Sequence, residues 1–207
     1  RKTYFSVIAV ILGNKEVMEY EHETPRVLAQ KLNGNQSIFF ERLRLVIAEV
    51  ENDYDIVILD TPPSLGFLTL GAIYAATGLL VTVHPAMLDV MSMSQFLLMM
   101  GDLISVIRDA GAEMHQDFLR YVVTRHDPND QSQVHVVSML RHLFAEDVLT
   151  PTAVESAAIE TAGLAKRTLY ELEAGNVGAS TVKRARESID AVNGRIVDLI
   201  NESWGRG

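Results

Sequence analysis

Residues 56–59 form an uninterrupted apolar run, which is followed at once by Asp60 and, after one threonine, by Pro62 and Pro63. A run without polar alternation is typical of a strand buried on both faces, as in a parallel sheet covered by helices. Because proline lacks the backbone N–H that a sheet or a helix needs, the strand is expected to end at Asp60. The sequence therefore predicts a carboxylate at the carboxyl edge of a sheet, where open α/β folds bind ligands. An aspartate that only caps the next loop is the alternative.

The rest of the chain alternates between strand-like and helix-like apolar patterns. Patterns typical of helices cover residues 37–53, 68–77, 89–109, 132–145 and 181–201, and further strands are predicted at 5–12, 79–83, 118–124 and 147–149. This order predicts an α/β fold, with a mainly parallel sheet and helices on both faces. Because the chain has 207 residues, we expect a single domain, residues 1–207.

Composition excludes several classes of protein and site. No apolar run approaches the roughly 20 residues that span a membrane, which predicts a soluble protein. The sequence has no cysteine, so disulfides, zinc thiolates and thiol nucleophiles are excluded. The six histidines do not show the spacing of a metal motif. A net charge of −9 argues against a broadly basic nucleic-acid surface, although a local patch is compatible with it.

The sequence DTPPSLGFLT at residues 60–69 resembles the Walker B segment of ParA-type ATPases, the deviant P-loop proteins that partition plasmids and chromosomes. Residues 79–96 are similar to the segment that follows it in that family. Residues 1–5, 13–14 and 19–26 resemble the RepA subgroup of repABC plasmids. The resemblance implies that Asp60 is a catalytic residue beside the Mg²⁺ of bound ATP and that it acts through water, which suits a cation that keeps several waters.

The glycine-rich phosphate loop of that family is absent from residues 1–207. The chain is therefore expected to be the carboxyl-terminal part of a ParA-type ATPase domain, lacking the phosphate-loop strand. Because nothing here would neutralise the phosphates, ATP turnover is expected of the full-length protein and not of this segment alone.

The resemblance also implies which residues lie near the adenine. Thr124 and Arg125 follow the strand predicted at 118–124, and in the family this position lies beside the base. Pro151 and Thr152 belong to the segment that covers the base. For Thr124, a threonine that simply ends a strand is the alternative.

Three basic residues are candidates for DNA binding. Arg141 matches a family pattern in which an arginine binds DNA phosphates without base specificity. Lys183 and Arg184 begin the last predicted helix, where the helix dipole disfavours cations and a functional role is more natural. Glu155 stands where many relatives carry a basic residue, and its carboxylate would repel phosphate. Ordinary solvated helix faces are the alternative for all three.

For the full-length protein, the resemblance implies a plasmid-partitioning ATPase that binds Mg-ATP, dimerises and binds DNA nonspecifically. A ParB-type (RepB) centromere-binding protein would stimulate hydrolysis, and operator DNA would be bound in repression of the protein's own operon. The expected location is cytoplasmic and nucleoid-associated. The alternatives are a noncatalytic regulator or interaction module with the same fold but no phosphate loop, and a membrane-cycling protein of the MinD kind. The latter is poorly supported, because residues 201–207 offer no basic amphipathic helix.

Overall fold

The computed structural model describes residues 7–11, 13, 19–24, 37–62, 64–109, 114–173, 175 and 177–206. The chain divides into two compact units, one of residues 1–76 with 100–114 and the other of residues 77–99 with 115–207. Residues 19–24 are helical. Among the described residues, the helices with both bounds given are α1 (Ser37–Ala48), α2 (Phe67–Ala75), α3 (Met87–Asp109), α4 (Gln131–Phe144), α5 (Ala157–Leu164) and α6 (Ala179–Ser203); the strands are β1 (Gly78–Val83) and β2 (Phe118–Val123); short 3-10 helices span Ala145–Asp147 and Leu169–Glu171. The single domain predicted from length stays a prediction.

The two strands of the second unit pair in parallel. Gly78 lies opposite Phe118, and the register continues to Val83 opposite Val123. Parallel neighbours require a long crossover, which α3 supplies between β1 and β2. A Cβ atom on Gly78 would overlap the ring of Phe118, so a larger residue there would require that ring to shift. The predicted parallel sheet is confirmed by this ladder.

Helices cover β2 on both faces because successive side chains of a strand point in opposite directions. Tyr121 and Val123 pack in a cluster with Val90 of α3 and Leu140 of α4. Val122 points the other way and packs with residues of α6. The predicted helices on both faces are therefore confirmed, and the mainly apolar strand sequence follows from double burial.

The buried strand predicted at residues 56–59 is wrong. This segment has no strand conformation, and Ile56, Val57 and Ile58 are 47%, 42% and 87% exposed. The strand predicted at 5–12 is not seen in its described residues 7–11, which contain one bridge residue, Ala9. Residues 5, 6 and 12 lie outside the described part of the chain. β-branched residues favour a strand only where a neighbour accepts and donates the ladder hydrogen bonds. In the described part of the chain, that ladder consists of β1 and β2.

The helix predicted after the proline turn forms as α2, and a distant carboxylate caps it. Glu21 accepts hydrogen bonds from the amides of Phe67 and Leu68 at 2.8 and 2.7 Å. These N–H groups have no partner within the helix, and a negative charge there also suits the helix dipole. Glu21 therefore helps to fix where α2 begins, seven residues after Asp60.

α6 packs on α5 and the second 3-10 helix through Ala158, Leu169, Val182 and Ala185. Arg186 holds the same elements together, because its guanidinium donates to three carbonyl oxygens at 2.9 to 3.2 Å; they belong to Leu169, Tyr170 and Leu172.

Replacing Arg186 with lysine is expected to lower the free energy of unfolding by about 1 to 2 kcal/mol. The charge is kept, but a lysine ammonium cannot match the planar fork that reaches all three oxygens. Urea unfolding of Arg186→Lys measures the loss. The control is Arg184→Lys, a change at an exposed position two residues away, which should leave the midpoint nearly unchanged. Equal midpoints for the two variants would contradict the role given to Arg186.

Candidate functional site

The carboxyl end of β2 brings together residues that are far apart in the chain. The amide of Thr124 donates to the carbonyl of Val83 at 2.9 Å, so the pairing with β1 extends one residue past the strand. Arg125 then takes a left-handed backbone conformation with φ of 52°, which is uncommon for a residue with a side chain. The chain turns sharply at this residue, which follows the ladder directly.

Residues 148–155, here called the edge segment, run parallel to the end of β2. Isolated bridges join Tyr121 to Val148 and His126 to Val154. From the first bridge to the second, the end of β2 advances five residues, from 121 to 126, and the edge segment advances six, from 148 to 154, a net excess of one residue. Such a bulge is typical of sheet edges, where it redirects side chains. It falls around Pro151, which cannot donate a ladder hydrogen bond.

His126 is the centre of the contacts between the two segments. Its amide donates to the carbonyl of Ala153, and its carbonyl accepts from the amide of Glu155, both at 3.0 Å. Its ring Nδ1 lies 3.0 Å from Thr152 Oγ1. Burial lowers the pKa of His126 from its usual 6.5, the guanidinium of Arg141 lowers it further, and Asp127 acts in the opposite direction. These surroundings therefore favour the neutral form of the ring.

Two helices hold the bulge from other directions. Ser188 on α6 donates through Oγ to the carbonyl of Thr152 at 3.0 Å and accepts from the amide of Val154 at 2.8 Å. Arg141 on α4 donates to the carbonyl of Thr150 at 2.6 Å. The edge segment is thus fixed by β2, α4 and α6 together.

The structure brings the four residues predicted to contact adenine to this one place. Thr124 and Arg125 lie at the end of β2, and Pro151 and Thr152 lie on the adjacent bulge. Arg125 also approaches Glu155 to 3.7 Å, so the unfavourable carboxylate noted in the sequence faces a guanidinium. Their role in binding a nucleotide stays a prediction.

Sequence reasoning missed His126 and Ser188. The sequence does contain a signal for His126, because this residue directly follows Thr124 and Arg125 at the end of the predicted strand. No local pattern could have identified Ser188, because its contact with Thr152 joins residues 36 positions apart.

Asp60 lies in the first unit, and its side chain is exposed. In the described part of the chain, no group of three or more histidine, cysteine, aspartate or glutamate side chains could hold a metal ion. A single exposed carboxylate nevertheless fits Mg²⁺, which prefers oxygen ligands and usually keeps its waters while one or two carboxylates and substrate phosphates hold it. The role of Asp60 beside a magnesium ion stays a prediction.

The basic candidates for DNA binding differ in their surroundings. Arg184 is exposed on the first turns of α6. Lys183 approaches Glu187 at 3.7 Å in a pair that is largely exposed to solvent, which would contribute little to stability. Arg141 is exposed but contacts the edge segment. Lys183 and Arg184 thus keep their charges available to solvent and to a phosphate backbone.

A cavity of about 450 Å³ lies between the turn after β1 and the start of α4. Pro85, Met87, Gln133 and His135 are among its lining residues, and no residue predicted for ATP or DNA binding lines it. Asp130, also in the lining, caps α4 by accepting from the amide of Ser132 at 2.8 Å. Gln133 connects this lining to the segment after β2, because its side-chain oxygen accepts from the amide of Asp127 at 2.9 Å.

None of the described helices combines the length and the apolar character that crossing a bilayer would take.

Comparison with known proteins gives three findings. A family model described as an AAA domain matches residues 1–110. Two curated proteins named "Putative replication protein A", from Sinorhizobium fredii and Rhizobium rhizogenes, are 43% and 46% identical over 99% and 100% of this chain. The chain spans about half of their length, 50% and 51%. A solved structure described as "Partition Protein" has a TM-score of 0.66 at 19% identity, over 92% of this chain and 46% of that one.

Proposed function

The chain belongs to the AAA-domain family, and we propose that the intact protein is a ParA-type plasmid-partitioning ATPase. One observation carries the proposal furthest. Two segments that the sequence associates with adenine, around Thr124 and around Pro151 and Thr152, are joined by hydrogen bonds at the carboxyl end of β2. Ligands of open α/β sheets bind at this edge.

The ligand we propose is ATP with Mg²⁺. Thr124, Arg125, Pro151 and Thr152 would contact the base, and Asp60 would hold the cation through water. The cation supplies positive charge that offsets the charge of the phosphates. Since residues 1–207 contain no phosphate loop, hydrolysis is proposed for the protein that the intact gene encodes.

DNA binding in this proposal is electrostatic and independent of sequence. Lys183 and Arg184 provide two exposed charges at the start of α6, whereas the three hydrogen bonds of Arg186 give that neighbour a structural task. Arg141 would add a contact from α4. Because the whole chain carries a net charge of −9, DNA would approach this local patch and be repelled elsewhere.

The proposed partners are those that the family resemblance implies. We propose that the intact protein dimerises with nucleotide bound, and that a ParB-type centromere-binding protein, RepB, stimulates hydrolysis. The dimer would associate with the nucleoid through nonspecific DNA contacts, and it would bind operator DNA to repress its own operon.

Reversing the two charges in a Lys183→Glu, Arg184→Glu variant is expected to weaken ATP-dependent binding to nonspecific DNA at least about tenfold at moderate salt. Each lost phosphate contact should also reduce the slope of log affinity against log salt by about one. Fluorescence anisotropy on a random-sequence duplex, with and without ATP, measures both quantities.

The matched control reverses two exposed arginines of α1, in Arg42→Glu, Arg44→Glu. The same change in net charge there should alter affinity much less. Equal losses of affinity in the two variants would mean that overall charge causes the effect. An unchanged affinity in the α6 variant would contradict DNA binding by Lys183 and Arg184. Failure of the wild type to bind DNA in any nucleotide state would count against the proposed function as a whole.

A further inference from the structure

His126 is a buried, ionisable residue that no step of the proposed function uses. Its exposed fraction is 8%. Its Nδ1 atom contacts Thr152 Oγ1, while its Nε2 atom is fully buried without a hydrogen-bond partner in the part of the chain that the structure describes. A buried polar atom without a partner is costly, which makes this ring unusual among core side chains.

The ring contact matters because it falls on the bulge. Backbone bonds to His126 fix Ala153 and Glu155, which lie beyond the extra residue of the edge segment. The backbone holds the peptide that follows Thr152, because the amide of Ala153 donates to the carbonyl of Val123 at 2.9 Å, and side chains add two further bonds to Thr152. His126 and Ser188 supply those bonds, one to the hydroxyl and one to the carbonyl of Thr152.

We propose that His126 is a positioning residue for the base-binding part of the site. In its neutral form the ring holds Thr152 in place, and protonation of the ring loosens the edge segment. The effect on nucleotide binding rests on the proposed function, whereas the hold on the edge segment does not.

The surroundings explain why protonation is unfavourable. A protonated imidazole has two N–H donors and no acceptor, so Nε2–H would be a buried donor without an acceptor beside a positive charge. Of the charged groups near the ring, Arg141 on α4 opposes protonation and Asp127 favours it. Arg125 and Glu155, on the two flanking segments, offset each other as a pair. The contribution of α6 to the edge segment is the uncharged hydroxyl of Ser188.

The direction of the pH effect follows from linkage. The pKa of His126 is lowered from 6.5 in the folded state, so a loosened state with a solvated ring binds more protons below that pH. Falling pH therefore favours the loosened state, and His126 stabilises the edge segment fully only above about pH 6.5. The edge segment is therefore expected to loosen below pH 7.

Amide hydrogen exchange on the intact protein without nucleotide tests the hold directly, at pH 5.5 and 7.5 after correction for intrinsic rates. In wild type, protection of residues 152–155 should fall at least about fivefold at the lower pH, as expected for one lost hydrogen bond. His126→Leu should show low protection at both pH values. His126→Asn places an amide near the position of Nδ1 but does not titrate, so protection should persist at both. Amides of β2 are the internal control and should not change.

Nucleotide binding gives a second readout, with ATP as the probe and GTP as the comparison. His126→Leu is expected to weaken ATP about three- to tenfold at pH 7.5 and to reduce the preference for ATP over GTP. His126→Asn should retain the affinity of wild type and lose its decline at pH 5.5. Should His126→Leu not fold, Thr152→Val removes the same bond from the other side and is expected to give the same losses.

Unchanged protection of residues 152–155 in both His126→Leu and Thr152→Val would overturn the inference. Persistence of the pH effect in His126→Asn would overturn it as well. If exchange behaves as expected but wild type binds no ATP, the proposed function fails while the hold of His126 on the edge segment is supported.

Discussion

Replacing Asp60 with asparagine is expected to lower ATP hydrolysis by the intact protein about 10- to 100-fold. The change removes the negative charge that would orient a hydrated Mg²⁺ and keeps the size of the side chain. Loss of a carboxylate that acts on a metal through an intervening ligand typically costs this much in metal affinity or activity. Phosphate release under steady-state conditions, measured over a range of Mg²⁺ concentrations, determines whether excess cation restores part of the rate.

Asp55→Asn is the matched control, because Asp55 is also exposed and lies five residues earlier in the same unit. It should keep the hydrolysis rate of wild type. Equal rates for wild type and Asp60→Asn would remove Asp60 from the site. A wild-type protein that neither binds nor hydrolyses ATP would instead favour the noncatalytic regulator with the same fold.

Replacing Leu140 with alanine is expected to lower the free energy of unfolding by about 3 kcal/mol. Its side chain is fully buried, and it packs with Val83, Tyr121 and Val123 under the sheet. Large-to-small changes at such positions cost about 2 to 5 kcal/mol, since they lose burial and leave a cavity. For a chain of this size the melting temperature should fall by roughly 6 to 12 °C. Trp204 follows α6 in the same unit, so its fluorescence reports urea unfolding there.

Leu143→Ala is the internal comparison on the same helix. Leu143 is 62% exposed, so the same chemical change should cost well under 1 kcal/mol. If the two variants lose similar stability, the packing of α4 against β2 is not as described. A loss confined to Leu140→Ala would support the buried face that α4 presents to the sheet.

Periodicity located most helices closely because it reflects local geometry. The helix predicted at 132–145 is α4, Gln131–Phe144, and the strand predicted at 118–124 is β2, Phe118–Val123. In both elements the apolar residues that form the repeating pattern also pack against neighbouring elements, so local preference and packing agree. The segment 56–59 shows the opposite case. Its apolar residues have a strong strand preference, yet they form no ladder, and Ile56, Val57 and Ile58 remain exposed.

The candidate site divides in the same way. Family resemblance identified Thr124, Arg125, Pro151 and Thr152 as separate points along the chain. The bulge that brings them together, the ring of His126 beneath them and the hydroxyl of Ser188 were not predictable, because each depends on contacts between residues distant in sequence.

Residue type and local order are enough to locate most of the helices, to indicate the family by resemblance and to single out the acidic residue that precedes the prolines, because these features do not depend on distant contacts. The tertiary structure alone decided which apolar runs become strands and which polar side chains meet at the carboxyl end of β2. Ladder hydrogen bonds and burial are supplied by neighbours in space, and the order of residues along one segment does not contain them.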